Sequence, residues 1–211
     1  MSLAVDRYEL GPIGTNCYVV RSERGAQQAV VIDPGADAGD LRLELAGLST
    51  TCAAILLTHT HYDHIGAVAD LAEGTGAPVY VPELEAPVLA NPGAFYPGIS
   101  IRPYAAAATL AGGETLELAG ISFEVLAVPG HSPGHVAYHS EESLFSGDVL
   151  FAGSVGRTDL PMSDWDTLVE SIRTLVERYP PETVVYSGHG PPTTLGDELA
   201  RNPFLAELRT S

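Results

Sequence analysis

Residues 59–64 read His59-Thr60-His61-Tyr62-Asp63-His64, directly after the apolar stretch Ala53-Ala54-Ile55-Leu56-Leu57 and Thr58. A short apolar run bounded by polar residues predicts a buried strand. Here the strand ends where three imidazoles and a carboxylate begin. Neutral imidazole and carboxylate are the N and O ligands that zinc, iron and manganese accept. In a dry core four such groups would repel or stay unsatisfied unless a cation organised them. The bland alternative is a solvated loop rich in His. It requires three of the chain's seven His to fall by chance in one six-residue window, so the metal site is the better reading.

Further ligand types lie far along the chain, as a folded site requires. His131 sits in Val128-Pro129-Gly130-His131-Ser132-Pro133-Gly134-His135, after the strand-like Ile121 to Val128. Asp148 ends Leu144-Phe145-Ser146-Gly147-Asp148, and His189 lies in Val184-Val185-Tyr186-Ser187-Gly188-His189-Gly190-Pro191. Four short β-like runs thus end in a Gly- or Thr-marked loop carrying a candidate ligand. Open α/β sheets hold their ligands outside the carboxyl ends of strands, and loops on a rigid scaffold carry the chemistry.

The HxHxDH run at 59–64, followed in order by His131, Asp148 and His189, resembles the metallo-β-lactamase fold superfamily over nearly the whole chain. Within it the chain looks most like the short glyoxalase II-like hydrolases without a C-terminal helical domain. That closer match rests on Gly130-His131-Ser132-Pro133-Gly134-His135, on Gly147-Asp148-Val149-Leu150-Phe151 with Gly156-Arg157-Thr158-Asp159, and on Ser187-Gly188-His189-Gly190 with Asn202-Pro203-Phe204-Leu205. The resemblance implies an α/β (α+β) fold, an αβ/βα four-layer sandwich of two mixed β-sheets with outer helices. It also implies two divalent ions, zinc first, with iron and manganese open to the same ligands. His59, His61 and His131 would hold one ion and Asp63, His64 and His189 the other, with Asp148 bridging. Asp63 and Asp148 are the residues given a catalytic part. Two dications set against two carboxylates and a bridging hydroxide leave a charge of about +1, which can hold a nucleophile and polarise a carbonyl.

The activity so implied is hydrolysis of S-acyl thiol conjugates such as S-D-lactoylglutathione. A thiolate leaving group, with a free pKa of about 8.5, needs no dedicated acid. Two alternatives are a persulfide dioxygenase, a mononuclear iron oxidoreductase sharing the Gly-Arg-Thr-Asp stretch, and a lactone or β-lactam hydrolase. The chain stops at Ser211, soon after Asn202-Pro203-Phe204-Leu205, so a weak hold on the thiol carrier is expected.

Several neighbours carry two readings. His135 is expected to hydrogen-bond near the centre and not to ligate, and His139 to lie on a surface strand. Asp33, in Asp33-Pro34-Gly35, either orients a metal-bound His or caps a turn. Arg157 and Asp159 are expected to form an internal ion pair propping the metal loops. Tyr62 either lines the pocket or faces solvent. Cys17 and Cys52 are too few and too far apart for a CxxC motif, and neither is placed to ligate, which argues against β-lactamases that use a Cys ligand.

All ten basic residues are Arg, set against 27 acids for a net charge of −17. Such a body disfavours nucleic acid, whose backbone is bound by clustered cations. The start Met1-Ser2-Leu3-Ala4-Val5-Asp6-Arg7 shows no signal-peptide pattern, and no apolar run approaches the roughly 20 residues of a membrane helix. A cytoplasmic protein of one domain, 1–211, with a small-molecule thioester substrate is expected.

Turn residues and periodicity predict strands over 3–10, 16–21, 29–32, 53–57 and 78–81, and antiparallel strands over 114–118, 121–128, 135–139 and 143–146. A last strand is predicted over 183–186. Helices are predicted over 37–48, 66–71, 82–89, 165–179 and 195–208. Residues 91–104, rich in Pro and Gly and carrying Phe95 and Tyr96, read as a functional loop.

Overall fold

The computed structural model describes residues 2–209. Six strands form one sheet in sequential order: β1 (Ala4–Leu10), β2 (Thr15–Arg21), β3 (Gln28–Ile32), β4 (Thr51–Leu56), β5 (Val79–Pro82) and β6 (Ala108–Leu110). The first three pair antiparallel, and β3 to β6 run parallel. The second sheet contains β7 (Thr115–Leu118), β8 (Ile121–Ala127), β9 (Val136–Ser140) and β10 (Ser143–Gly147). A small hairpin, β11 (Leu150–Phe151) and β12 (Ser154–Val155), precedes β13 (Val184–Ser187) and β14 (Thr193–Thr194). The second sheet has the order β14-β13-β10-β9-β8-β7 and is parallel only between β10 and β13. The antiparallel expectation for 143–146 therefore holds on one side only.

Alternation along the strands builds the layers. Successive side chains of a strand point to opposite faces. In β2, Cys17 and Val19 face the first sheet's outer cluster, whereas Tyr18 and Val20 join the cluster between the sheets. In β8 and β9, Phe123, Val125, Val136 and Tyr138 also join the middle cluster, while Leu126 and Ala137 face the opposite way. Fully burying a side chain of this size stabilises by about 1.5–3 kcal/mol. Strands buried on both faces cannot end a fold, so helices cover the outsides.

α1 (Ala38–Gly47), α2 (Tyr62–Ile65), α3 (Val68–Thr75), α4 (Ala86–Ala90) and α5 (Pro92–Phe95) lie along the first half; α6 (Trp165–Arg178) and α7 (Leu195–Arg201) lie in the second. Leu41, Leu45, Val68 and Leu71 pack in the first outer cluster, and Leu168, Ile172, Leu175 and Leu195 in the second. The molecule is an αβ/βα sandwich, as expected. Both cysteines are buried and free. Among the described residues no helix is long and apolar enough to cross a membrane.

Three local readings change. The helix predicted over 66–71 is α3, displaced to Val68–Thr75, and a short helix not predicted, α2, precedes it inside the ligand run itself. β6, the β11–β12 hairpin and β14 escape sequence reading because strands of two or three residues are too short for a period-2 signal. The 91–104 stretch contains a turn of helix, α5, between irregular segments.

Polar links join the sheets at one edge. The Tyr18 hydroxyl donates to Ser187 O at 2.6 Å, and Tyr138 donates to Leu57 O at 2.6 Å. Asn16 donates through Nδ2 to Ser187 O and Gly190 O, both at 2.8 Å, and Val136 N donates to Thr58 O at 2.9 Å. Strands β3, β4, β10 and β13 all end at this edge. Their terminal loops deliver Asp33, His59, Asp148 and His189 to one place.

Candidate metal centre

His59, His61 and His131 form one cluster whose ring nitrogens converge. His61 Nδ1 lies 3.0 Å from His59 Nε2 and 2.8 Å from His131 Nε2. Asp63, His64 and His189 form a second cluster. His64 Nε2 is 3.4 Å from Asp63 Oδ2, and His189 Nε2 is 3.4 Å from the same oxygen. Asp148 stands between them. Its Oδ1 is 3.3 Å from His64 Nε2, and its Oδ2 is 3.5 Å from both His131 Nε2 and His189 Nε2. The seven ligand-type residues singled out in the sequence are thus together.

The surrounding hydrogen bonds fix which nitrogens are bare. Asp33 carboxylate oxygens accept from Thr58 N at 2.8 Å and from the Thr58 hydroxyl at 2.7 Å. With its one proton so used, the Thr58 hydroxyl accepts from His59 Nδ1 at 3.0 Å. His64 Nδ1 donates to Asp33 at 3.0 Å, and His131 Nδ1 donates to the Arg157 carbonyl at 2.9 Å. The Nε2 atoms of His59, His64 and His131 therefore aim inward, the arrangement that second-shell partners impose on metal-ligating imidazoles. Asp33 orients His64 directly and His59 through Thr58, which decides between its two sequence readings. The Thr15 hydroxyl holds Asp63 Oδ2 at 2.7 Å.

This arrangement fits divalent ions. His61 has one ring proton at most to offer two bare nitrogens, so lone pairs oppose each other at about 3 Å. His64 Nε2 and Asp148 Oδ1 are buried without hydrogen-bond partners. Buried polar atoms of that kind are costly unless something satisfies them, and a cation would satisfy all of them at once.

The remaining histidines and aromatics are now placed. His135 Nε2 accepts from the Asp148 backbone N–H at 3.1 Å, and its ring stacks on His59 at 4.6 Å. His139 lies outside the centre, half-buried and stacked on Tyr179 at 3.9 Å, not on an open surface. The Arg157–Asp159 pair forms at 2.7 Å, but both side chains are mostly exposed. It is not internal; the Arg157 backbone carbonyl is what supports the centre. The Tyr62 ring meets Tyr96 at 6.0 Å, and Phe151 meets His189 at 5.9 Å. Sequence reading missed Glu85, Thr58 and Thr15 altogether, since nothing local distinguishes them.

The protonation pattern divides the centre. Burial, then the neighbouring imidazoles, pushes His59 well below its ordinary value, and burial with His131 brings His61 to about 4. Burial alone would lower His64, but the Asp148 and Asp33 carboxylates outweigh it and hold it well above. Hydrogen bonds to Asp148 and Asp63 raise His189 to about 9. Burial works against the ionised form of Asp63, yet His189, His64 and Thr15 bring it to about 2.

Ion uptake by the Asp63/His64/His189 set must therefore displace protons at neutral pH, whereas uptake by the three-histidine set does not. Binding at the former is expected to tighten by about tenfold per pH unit for each displaced proton as pH rises from 6 towards 9. Binding at the latter should stay nearly flat over that window. In the metal-free protein the sign is opposite: the raised His189 stabilises fully below about pH 6.5 and ceases to as pH passes about 9. Calorimetric metal titrations at three pH values test this; parallel pH dependence at both sets would refute it.

A profile described as the metallo-beta-lactamase superfamily matches residues 10–189. Hydroxyacylglutathione hydrolase GloC of Haemophilus influenzae is 36% identical over 205 residues, covering 90% of this chain and 92% of that protein. The crystal structure of BLEG-1 B3 metallo-beta-lactamase superposes with a TM-score of 0.87 at 41% identity, covering 96% of this chain and all (100%) of that one. TTHA1623 in a di-iron-bound form superposes with a TM-score of 0.84 at 43% identity, covering 95% of this chain and 100% of that one. Converging imidazoles and carboxylates at the strand ends of an αβ/βα sandwich, matched over this extent, make the chain a member of the metallo-beta-lactamase superfamily.

Proposed function

We propose that this chain is a dinuclear metallo-hydrolase of S-acyl thiol conjugates, S-D-lactoylglutathione among them. The observation that carries the reading is Asp148, one carboxylate facing nitrogens of both histidine sets. His59, His61 and His131 would hold one ion, Asp63, His64 and His189 the other, and Asp148 both. Two divalent cations, if held there, would supply a water of lowered pKa and a Lewis acid for a carbonyl oxygen.

The protein's own part is orientation and exclusion of water. Asp33, Thr58 and the Arg157 carbonyl lock imidazole tautomers, and Thr15 fixes the Asp63 carboxylate. His59, His64 and His131 are buried, whereas the His189 side chain keeps 30% of its surface exposed. His189 thus marks the open side, with Phe151 beside it. Across the centre Tyr62 and Tyr96 form an aromatic wall, suited to the apolar stem of a thiol carrier. Asp33 and Glu85, the carboxylates outside the metal set that touch the ligand loops, are both occupied as hydrogen-bond acceptors of the protein itself. A thiolate, stable near neutral pH, leaves without a proton donor. Likeness to GloC supports the substrate class.

Likeness to BLEG-1 favours β-lactam hydrolysis as a second reading. The cysteine argument excludes only centres with a Cys ligand and does not reach one built of His and Asp. Zinc-, iron- and manganese-loaded protein should cleave lactoyl thioesters in at least one form and take up no oxygen with a persulfide. Cleavage of a chromogenic cephalosporin without thioester cleavage would move the reading to the second class. Oxygen uptake with persulfide and no thioester cleavage would make it a dioxygenase.

A further inference from the structure

Glu85 is a buried carboxylate, 4% exposed, outside the ligand set. It lies in a 3₁₀ turn, Glu83–Glu85, directly after β5. Its Oε2 accepts from the Thr60 hydroxyl at 2.6 Å and from Thr60 N at 3.2 Å. Its Oε1 accepts from Gly134 N at 3.0 Å. Thr60 stands between His59 and His61, and Gly134 is three residues after His131. One carboxylate therefore joins the two loops that supply the three-histidine set. The fit at the second loop is close: a Cβ at Gly134 would lie 2.7 Å from Glu85 Cγ. Tyr96 adds a further hold, donating from its hydroxyl to Thr60 O at 2.9 Å. The N–H, hydroxyl and carbonyl of Thr60 are thus all gripped from the 85–96 segment.

We propose that Glu85 is a positioning residue that sets the spacing of His59, His61 and His131 and thereby the ion affinity of that set alone. Every partner of Glu85 is a donor, so a carboxylate satisfies them all and an amide cannot. Gln would offer one oxygen, enough for Thr60 or for Gly134, and turn its NH₂ towards the other loop's donor. Among the described residues the hydrogen bonds of Glu85 run to Thr60 and Gly134 and not to Asp63, His64 or His189; Asp63 is held by Thr15 and His64 by Asp33. The inference rests on reading the centre as a two-ion site.

The test is a calorimetric titration of chelator-stripped wild type, Glu85→Gln and Thr60→Val with zinc or manganese. Two binding steps in the wild type uphold the two-ion reading, and one step overturns that reading whatever the variants do. Glu85→Gln should weaken the three-histidine step, identified as the one that a His61→Ala control abolishes, by about 10–100-fold, the size of a lost second-shell partner. The other step should stay within about twofold. Thr60→Val keeps Glu85 and removes the shortest bond, so it should shift the same step in the same direction by less. It also serves if Glu85→Gln does not fold. Equal weakening of both steps, with a matching fall in the metal-free melting temperature, would mean a merely structural carboxylate. No change in either variant would also overturn the proposal.

Discussion

Asp148→Asn is expected to lower kcat/KM for a thioester by about 10³-fold, equivalent to about 4 kcal/mol of transition-state stabilisation, and to loosen both metal ions together. Asp148 Oδ1 faces His64 and Oδ2 faces His131 and His189, so one carboxylate serves both sets. Burial alone would raise its pKa, but His64, His189 and His131 hold it well below the ordinary carboxylate range. Asparagine keeps the shape and the backbone N–H that donates to His135, but removes the charge that balances two cations. Metal content after dialysis, read beside kinetics and the melting of the metal-free protein, is the measurement. Loss of a single ion, with the other bound as in the wild type, would show that the carboxylate belongs to one set only.

Gly188→Ala is expected to empty the Asp63/His64/His189 set and to reduce activity by about 10²-fold or more, although no ligand is removed. A methyl at 188 would overlap Asp148 Oδ1 and lie 2.8 Å from His64 Cε1. The backbone cannot retreat, because Gly188 N donates to Gly147 O at 2.8 Å and Gly188 O accepts from Asn16 N at 2.7 Å. Packed interiors absorb such an overlap by shifting side chains, at about 1–3 kcal/mol, and the side chains nearest are the ligands. The three histidines themselves are not among the atoms overlapped, so that set, disturbed only through its contact with Asp148, should be weakened less than the other. Wild-type metal content in the variant would refute the argument, and complete unfolding would show that the strain spreads beyond the centre.

Ligand chemistry and layer order are written locally in this chain. The run at 59–64 announces a metal by residue type, and His131, Asp148 and His189 repeat the pattern of an apolar run followed by a marked loop. Alternation in β2, β8 and β9 reports strands buried on both faces, because the side-chain period of a strand is fixed by backbone geometry.

What sequence reading could not supply depends on contacts across distant positions. Glu85 is one of 27 acids and has no local signature; it matters because folding brings Thr60 and Gly134 to its two oxygens. Asp33 reads by sequence either as a His-orienting carboxylate or as a turn cap, and only the fold makes it the tautomer lock, since Thr58 and His64 reach it from another loop. Arg157 was legible as a partner for Asp159, but the centre uses its carbonyl, a group every residue possesses. Side-chain type and period are properties of neighbours in the chain, and they marked the candidate ligands and the strands. Hydrogen-bond direction is a property of neighbours in space, and the tertiary structure alone decided which nitrogen of His59, His64 and His131 faces the centre.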